Sequence, residues 1–181
     1  MRIVWVLAAI ILSGCVLHSE TGYFGDADAV LILGHHPHSF AAYSAKDGVW
    51  VPMDARTVRA VPVGQHYAIA DPTDADPNRV DIYGFIPLDA NRYVVQAFTT
   101  GNPAFTTGNP GADYAIASWD GTTLLVTPLD CATLKASQQT SNLVEFVNDD
   151  CAFFPSATPP KDRFTQLASQ VGAPTLRFVR H

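Results

Sequence analysis

The residues best suited to chemistry in this chain are three histidines, two C-terminal cysteines and a large set of aspartates. His35, His36 and His38 lie in the run Gly34-His35-His36-Pro37-His38-Ser39. Imidazole nitrogens are ready ligands for Zn²⁺ or Cu²⁺. Against a common metal, neighbours on an extended chain point to opposite faces, and Pro37 restricts His36. No HExxH helix completes a site. The bland alternative is an exposed polar loop. His66 with Asp71 could form a base and its orienting partner, although a histidine in the apolar run HYAIA also reads as a packed strand residue. There is no G-x-S-x-G or S-x-x-K for a nucleophile, and no glycine-rich loop opening a helix for phosphate. A glycosidase needs two carboxylates about 5 to 9.5 Å apart, and nothing in the sequence singles out such a pair.

The chemistry at the N-terminus is of another kind. Arg2 precedes the apolar run Ile3–Leu12, which has the length of a signal-peptide core and is too short to span a bilayer. The run closes on Leu12-Ser13-Gly14-Cys15. This tetrapeptide resembles the lipobox of bacterial lipoproteins, a resemblance confined to residues 1–15. It implies cleavage before Cys15, a diacylglycerol on the Cys15 thiol and an acyl chain such as palmitate on the new amino group. Several chains on one residue give stable membrane anchoring where one is marginal. Val16 comes directly after the cysteine. In Gram-negative members of the family an Asp there tends to retain the protein in the inner membrane, so Val16 implies the outer membrane, facing the periplasm.

With Cys15 acylated, Cys131 and Cys151 remain. Two thiols in an oxidising compartment are expected to form a disulfide. The alternatives are two buried thiols or, without a C-x-x-C, a less favoured reactive pair.

The chain has 181 residues, 11 Lys and Arg against 17 Asp and Glu, and a net charge of −6. No basic run exists, which argues against nucleic-acid binding. Among the acids only Glu20 and Glu145 are glutamates. Asp favours turns and caps whereas Glu favours helix interiors, so the composition leans away from a helical bundle.

These residues must be positioned by a β-rich body. The expected organisation is a signal peptide over 1–14, the lipidated Cys15 with a tether to 28, and one globular domain over 29–181. AVLIL (29–33) opens the β signals. Asp47-Gly48 between FAAYSAK and VWVPMDA marks a tight hairpin turn. TVRAVPV, HYAIA, VDIYGFIPLDA, RYVVQAF and the pair around Asp120-Gly121 continue the pattern. Three stretches share one plan, a strand, a turn and a second strand ending in Pro-Met/Leu-Asp, at Pro52, Pro87 and Pro128. Asp54, Asp89 and Asp130 then read as turn-shaping carboxylates, with Ca²⁺ binding as the functional alternative. AFTTGNP occurs twice in succession, at 97–103 and 104–110, which points to an exposed loop that tolerates extra length. Trp119, beside Asp120-Gly121, is expected at a hairpin tip, where exposure would let it contact a partner, a glycan or the membrane. Toward the C-terminus, SNLVEFVNDD (141–150) suggests a short helix. KDRFTQLASQVG (161–172) suggests a better one, with Phe164, Leu167, Ala168 and Val171 on one face. TLRFVR (175–180) reads as a last strand.

The fold class expected is β-rich α+β: an antiparallel meander or barrel of hairpins with one or two short C-terminal helices. The function expected is a lipid-anchored, non-enzymatic binding or accessory module of the cell envelope, requiring no cofactor. The alternatives are a metal-binding lipoprotein using His35, His36 and His38, and an envelope-polymer hydrolase with Asp catalytic residues.

Overall fold

The computed structural model describes residues 16–19, 22–69, 80–99, 111–136, 143–147, 150–154 and 158–181. Residues 1–15, where a signal peptide and the lipidated Cys15 are expected, the DPTDADPN run and most of the duplicated AFTTGNP segment lie outside the described residues.

The strands are β1 (His18–Ser19), β2 (His38–Lys46), β3 (Val49–Val63), β4 (His66–Ile69), β5 (Asp81–Pro87), β6 (Arg92–Thr99), β7 (Ala112–Trp119), β8 (Thr123–Pro128), β9 (Val144–Val147), β10 (Asp150–Phe153) and β11 (Leu176–Arg180). Two short helices, α1 (Cys131–Ala136) and α2 (Pro160–Ala168), fall between β8 and β11. From β2 to β8 each strand pairs antiparallel with the next, and β11 fits between β8 and β2. The result is a closed eight-stranded antiparallel barrel. Closure removes the free edges that would otherwise recruit other chains.

Period-2 alternation explains why these segments form walls. The interior takes Phe40 and Ala42 from β2, Val58 and Ala60 from β3, and Tyr67 from β4. It takes Tyr83 and Phe85 from β5, Val95 and Ala97 from β6, and Ala115 and Ala117 from β7. Leu124 and Val126 from β8, with Leu176 and Phe178 from β11, complete it. Asp47 (φ 51°) and Gly48 (φ 76°) both adopt the left-handed conformation, the backbone that the Asp-Gly signal predicts for the β2–β3 turn. At the second Asp-Gly only Gly121 does so, and the Asp120 carboxylate instead accepts from the N–H groups of Thr122 and Thr123 at 2.8 and 2.7 Å.

Residues 49–63, expected as the two segments VWVPMDA and TVRAVPV, form one long strand with an irregularity. Ala41 pairs with Thr57 but Tyr43 pairs with Pro52, so β3 carries extra residues opposite Ala42. The PMDA sequence sits inside this bulged stretch rather than at a strand end.

A second core lies outside the barrel. Between β8 and β11 the chain makes α1, the β9–β10 hairpin and α2, and these cover the outer face of β5, β6 and β7. Phe164 and Leu167 of α2 are fully buried there, with Tyr114, Ile116, Leu129 and Val144. Consequently β7 is buried on both faces over Ala112–Ala117. The Cys131–Cys151 disulfide is present and ties α1 to β10.

Three expectations are corrected here. The helix expected over 141–150 is replaced by the β9–β10 pair, because Val144, Phe146 and Val147 favour a strand and find a partner in Asp150–Phe153. AVLIL is a turn-containing plug rather than a strand. The described residues 16–19 and 22–24, expected in a tether, lie against the outer wall instead. Val16 and Leu17 are buried, and His18 and Ser19 pair with Asp113 and Ala112 of β7. Tyr23 and Phe24 pack on the outer core, and a 3₁₀ turn follows at Asp26–Asp28; the described residues 16–19 and 22–28 are called the strap below.

The strap is held by a buried polar network. The Tyr114 hydroxyl shares a 2.7 Å hydrogen bond with Ser19 Oγ, accepts from Tyr23 N–H at 3.0 Å and donates to Gln96 Oε1 at 3.1 Å. Gln96 in turn bonds both backbone groups of Phe24. Burial raises the Tyr114 pKa well above the usual tyrosine value, so the hydroxyl stays protonated and keeps donating.

Candidate apolar binding cavity

The barrel has two ends. Its lower end carries the turns after β3, β5 and β7; its upper end carries the β2–β3 turn and the connections out of β4 and β6. The plug closes the lower end. Val30 N–H donates to Phe85 O at 2.9 Å, and the Tyr67 hydroxyl accepts from Leu33 N–H and donates to Gly34 O at 2.9 and 3.0 Å. Leu31, Ile32 and Leu33 pack on the interior core from below, as do Tyr93 and Trp119.

Leu33 and the interior side chains surround an apolar cavity of about 50 Å³ within the barrel. Phe40, Val58, Ile69, Val95, Val126 and Leu176 are among its walls, and no residue of the outer core lines it. Eight-stranded barrels are just wide enough to be filled by side chains or to hold one small ligand. This one is nearly filled. Its volume is well below the roughly 150 Å³ that admits a benzene ring.

The upper rim combines apolar and acidic groups. Asp81 and Asp113 alternate with interior residues of β5 and β7, so both face inward at the rim, and each is 9% exposed. Asp113 Oδ1 meets His18 Nδ1 at 2.8 Å, and the His18 side chain is half exposed. On the far side the β2–β3 hairpin rises above the rim. The last described residue of β4, Ile69, pairs with Ala60, whereas β3 begins eleven residues earlier at Val49. Interior Leu176 pairs with Ser44, and Ser44 pairs with Val51. Val49, Val51 and Met53 therefore carry the interior face upward. Met53 packs on the core, while Val51 is 39% and Val49 64% exposed.

The residues that stand out in the sequence are scattered over the molecule. Cys131 and Cys151 are bonded and buried in the outer core. His35 and His36 are exposed on the loop between plug and β2, and His38 is half-buried on β2 beside the Phe40 ring. The structure does not assemble these three into a metal site: among the described residues no three His, Cys, Asp or Glu side chains are grouped to hold an ion. His66 lies 3.8 Å from Asp26 of the strap, while Asp71 is outside the described residues. Asp89 accepts from the N–H groups of Asn91 and Arg92 and from the Arg92 guanidinium, which holds its pKa below the usual value. Asp130 accepts from Ala132 N–H at the start of α1. Trp119 does not project from its hairpin tip. It turns inward and packs at an edge-on 6.4 Å from Phe40.

Sequence reasoning missed the plug, the acidic rim and Arg163. The Arg163 guanidinium is buried over Phe153, with its carbon 4.5 Å from the ring centre, and donates to Phe154 O at 3.0 Å. Asp81 lies two residues before Tyr83 and Asp113 two before Ala115, so both aspartates were reachable by counting in twos along the strands. No helix among the described residues is long and apolar enough to cross a membrane. No family model, curated protein or solved structure matches this chain.

Proposed function

We propose that this protein is a cell-envelope lipoprotein, anchored by acyl chains on Cys15 in the outer membrane and facing the periplasm, and that its barrel is a non-catalytic binding or accessory module. The observation that carries the binding half is the cavity. Its walls are apolar side chains and aromatic rings contributed by seven of the eight barrel strands. Such a chamber suits holding an apolar group and offers no carboxylate or imidazole for proton transfer. The anchor half is supported by Leu12-Ser13-Gly14-Cys15 and by the packing of the next two residues. Val16 and Leu17 are buried, and Leu17 joins the outer core with its N–H donating to Leu129 O at 2.8 Å. A lipid on Cys15 would thus hold the folded domain against the bilayer without a spacer.

The test is crosslinking in intact bacterial cells, comparing the tagged wild type with Cys15→Ala. The expected result is a recurrent envelope partner captured only by the wild type, which sediments with membranes. Equal capture by both forms, or a wild type that remains soluble, would contradict the reading.

A further inference from the structure

We propose that the β2–β3 hairpin tip is a second membrane contact, dipping Val49, Trp50 and Val51 into the lipid surface beside the acyl chains of Cys15. This deepens the lipoprotein reading and rests on its anchor, but not on the cavity.

Three observations converge. The first is the composition of the tip. Val49, at 64%, is the most exposed large apolar side chain among the described residues, and Val51 is 39% exposed two positions on. Alternation puts half-buried Trp50 and exposed Pro52 on the opposite face of the same strand. The tip is therefore apolar on both faces, and the barrel below can cover only one. Clustered apolar side chains left in water mark a surface that meets a partner or a membrane.

The second is where the anchored end of the chain emerges. Val126 of β8 pairs with Leu176, Leu176 with Ser44, and Ser44 with Val51. Two residues further up, β8 reaches Pro128 and the hairpin reaches its end pair, Lys46 and Val49. Two residues beyond Pro128, Asp130 forms a bridge with Val16. Val16 thus lies toward the end of the barrel that carries the hairpin tip. Only β11 separates β8 from β2, a span of about 10 Å at the usual strand spacing.

The third is the lack of slack. Val16 and Leu17 are buried, so acyl chains on Cys15 begin one residue before packed backbone. A bilayer holding those chains is kept against this end of the domain, within reach of the tip. The occupant that the chain itself brings to Val49 is therefore the lipid surface. Tryptophan suits the boundary between lipid and water. Lys46 and Asp47, both exposed at the turn, offset each other, so the contact needs no anionic lipid.

The experiment uses the full acylated chain, purified from bacterial membranes and reconstituted into phosphatidylcholine vesicles with or without bromine on the lipid tails. Bromine quenches the fluorescence of tryptophans that touch those tails. With Trp5 removed in the signal peptide, Trp50 and Trp119 remain, and Trp119 packs on the interior core beside Phe40 at the lower end. Brominated lipid is expected to quench the wild type and to leave Trp50→Phe, which reports Trp119 alone, unquenched. Val49→Asp and Val51→Asp change exposed positions; both should stay with the vesicles and lose the quenching of Trp50. Added salt should leave the wild-type quenching unchanged, since salt screens charges and not apolar burial. An acylated wild type that joins the vesicles unquenched, or equal quenching in Val49→Asp, would overturn the proposal. Quenching that vanishes in salt would overturn the apolar nature of the contact. A chain that carries no acyl group and stays out of the vesicles removes the anchor reading, and this inference falls with it.

Discussion

The two cores of this molecule are built on opposite plans. The barrel interior is assembled from neighbours: two side chains per strand for nearly every strand, joined by hairpins, with a small empty space left between them. The outer core is assembled from distant pieces. It joins residues 16–24 to β7 and then to a segment more than a hundred residues further on. It is closed by a disulfide, a buried hydroxyl network and a cation over an aromatic ring. The difference suggests a division of labour. The outer core devotes its specific contacts to fixing the strap next to Cys15, and the interior is left apolar and slightly underfilled.

The comparison is tested most severely at Phe164, which is fully buried among Tyr23, Tyr114 and Phe153. Phe164→Ala is expected to cost about 3–5 kcal/mol in urea unfolding, as large-to-small changes in a packed core do. A cost below about 1 kcal/mol would mean the outer core is loosely packed.

Replacing Cys131 and Cys151 together by alanine should cost about 3 kcal/mol, the chain-entropy value for a loop of this order. The expected pattern is local: hydrogen exchange rises in β1, β9 and β10 and stays slow in β5 and β6. A uniform rise would erase the distinction between the cores.

Tyr114→Phe removes the hydroxyl that joins Ser19, Tyr23 and Gln96, and should cost about 1–3 kcal/mol, the penalty for buried partners left unsatisfied. It carries a pH signature as well. Burial raises the pKa of Tyr114, Tyr23 and Tyr67 above the ordinary value of 10, so the folded state holds protons that the unfolded chain releases. Stability from this source is intact below pH 10 and falls as pH rises beyond it. The urea midpoint measured from pH 8 to 11.5 should decline more shallowly in Tyr114→Phe than in the wild type.

The smallest effect is expected on the uncovered wall. Val61 is exposed on the outer face of β3, and Val61→Thr should change stability by no more than about 0.5 kcal/mol. A larger loss would point to a partner surface on that wall.

The contrast between the cores also explains what was legible in the sequence. The hairpins of the barrel announce themselves locally, through alternation and through Asp47-Gly48, and the last strand at 176–180 was visible in the same way. The disulfide came from counting cysteines. The strap was not legible, because nothing in VLHSETGYFGDAD says that Leu17 bonds to Leu129 or that Ser19 meets Tyr114. AVLIL was ambiguous for a different reason. A continuous apolar run fits a buried strand, a helix or a plug equally well, and the choice depends on Tyr67, 34 residues beyond Leu33, receiving its backbone. LVEFV fits both a helical face and a strand, and its pairing with Asp150–Phe153 decided the matter. The histidine run was conspicuous in the sequence, yet it contributes no assembled site. The acidic rim was inconspicuous, because Asp81 and Asp113 acquire meaning only when the barrel closes.

The most direct test of the account is the intact mass of the chain extracted from bacterial membranes. The account predicts a protein that begins at Cys15 and carries a diacylglycerol and an amide-linked acyl chain. A chain that begins elsewhere, or that begins at Cys15 without added lipid, would contradict it.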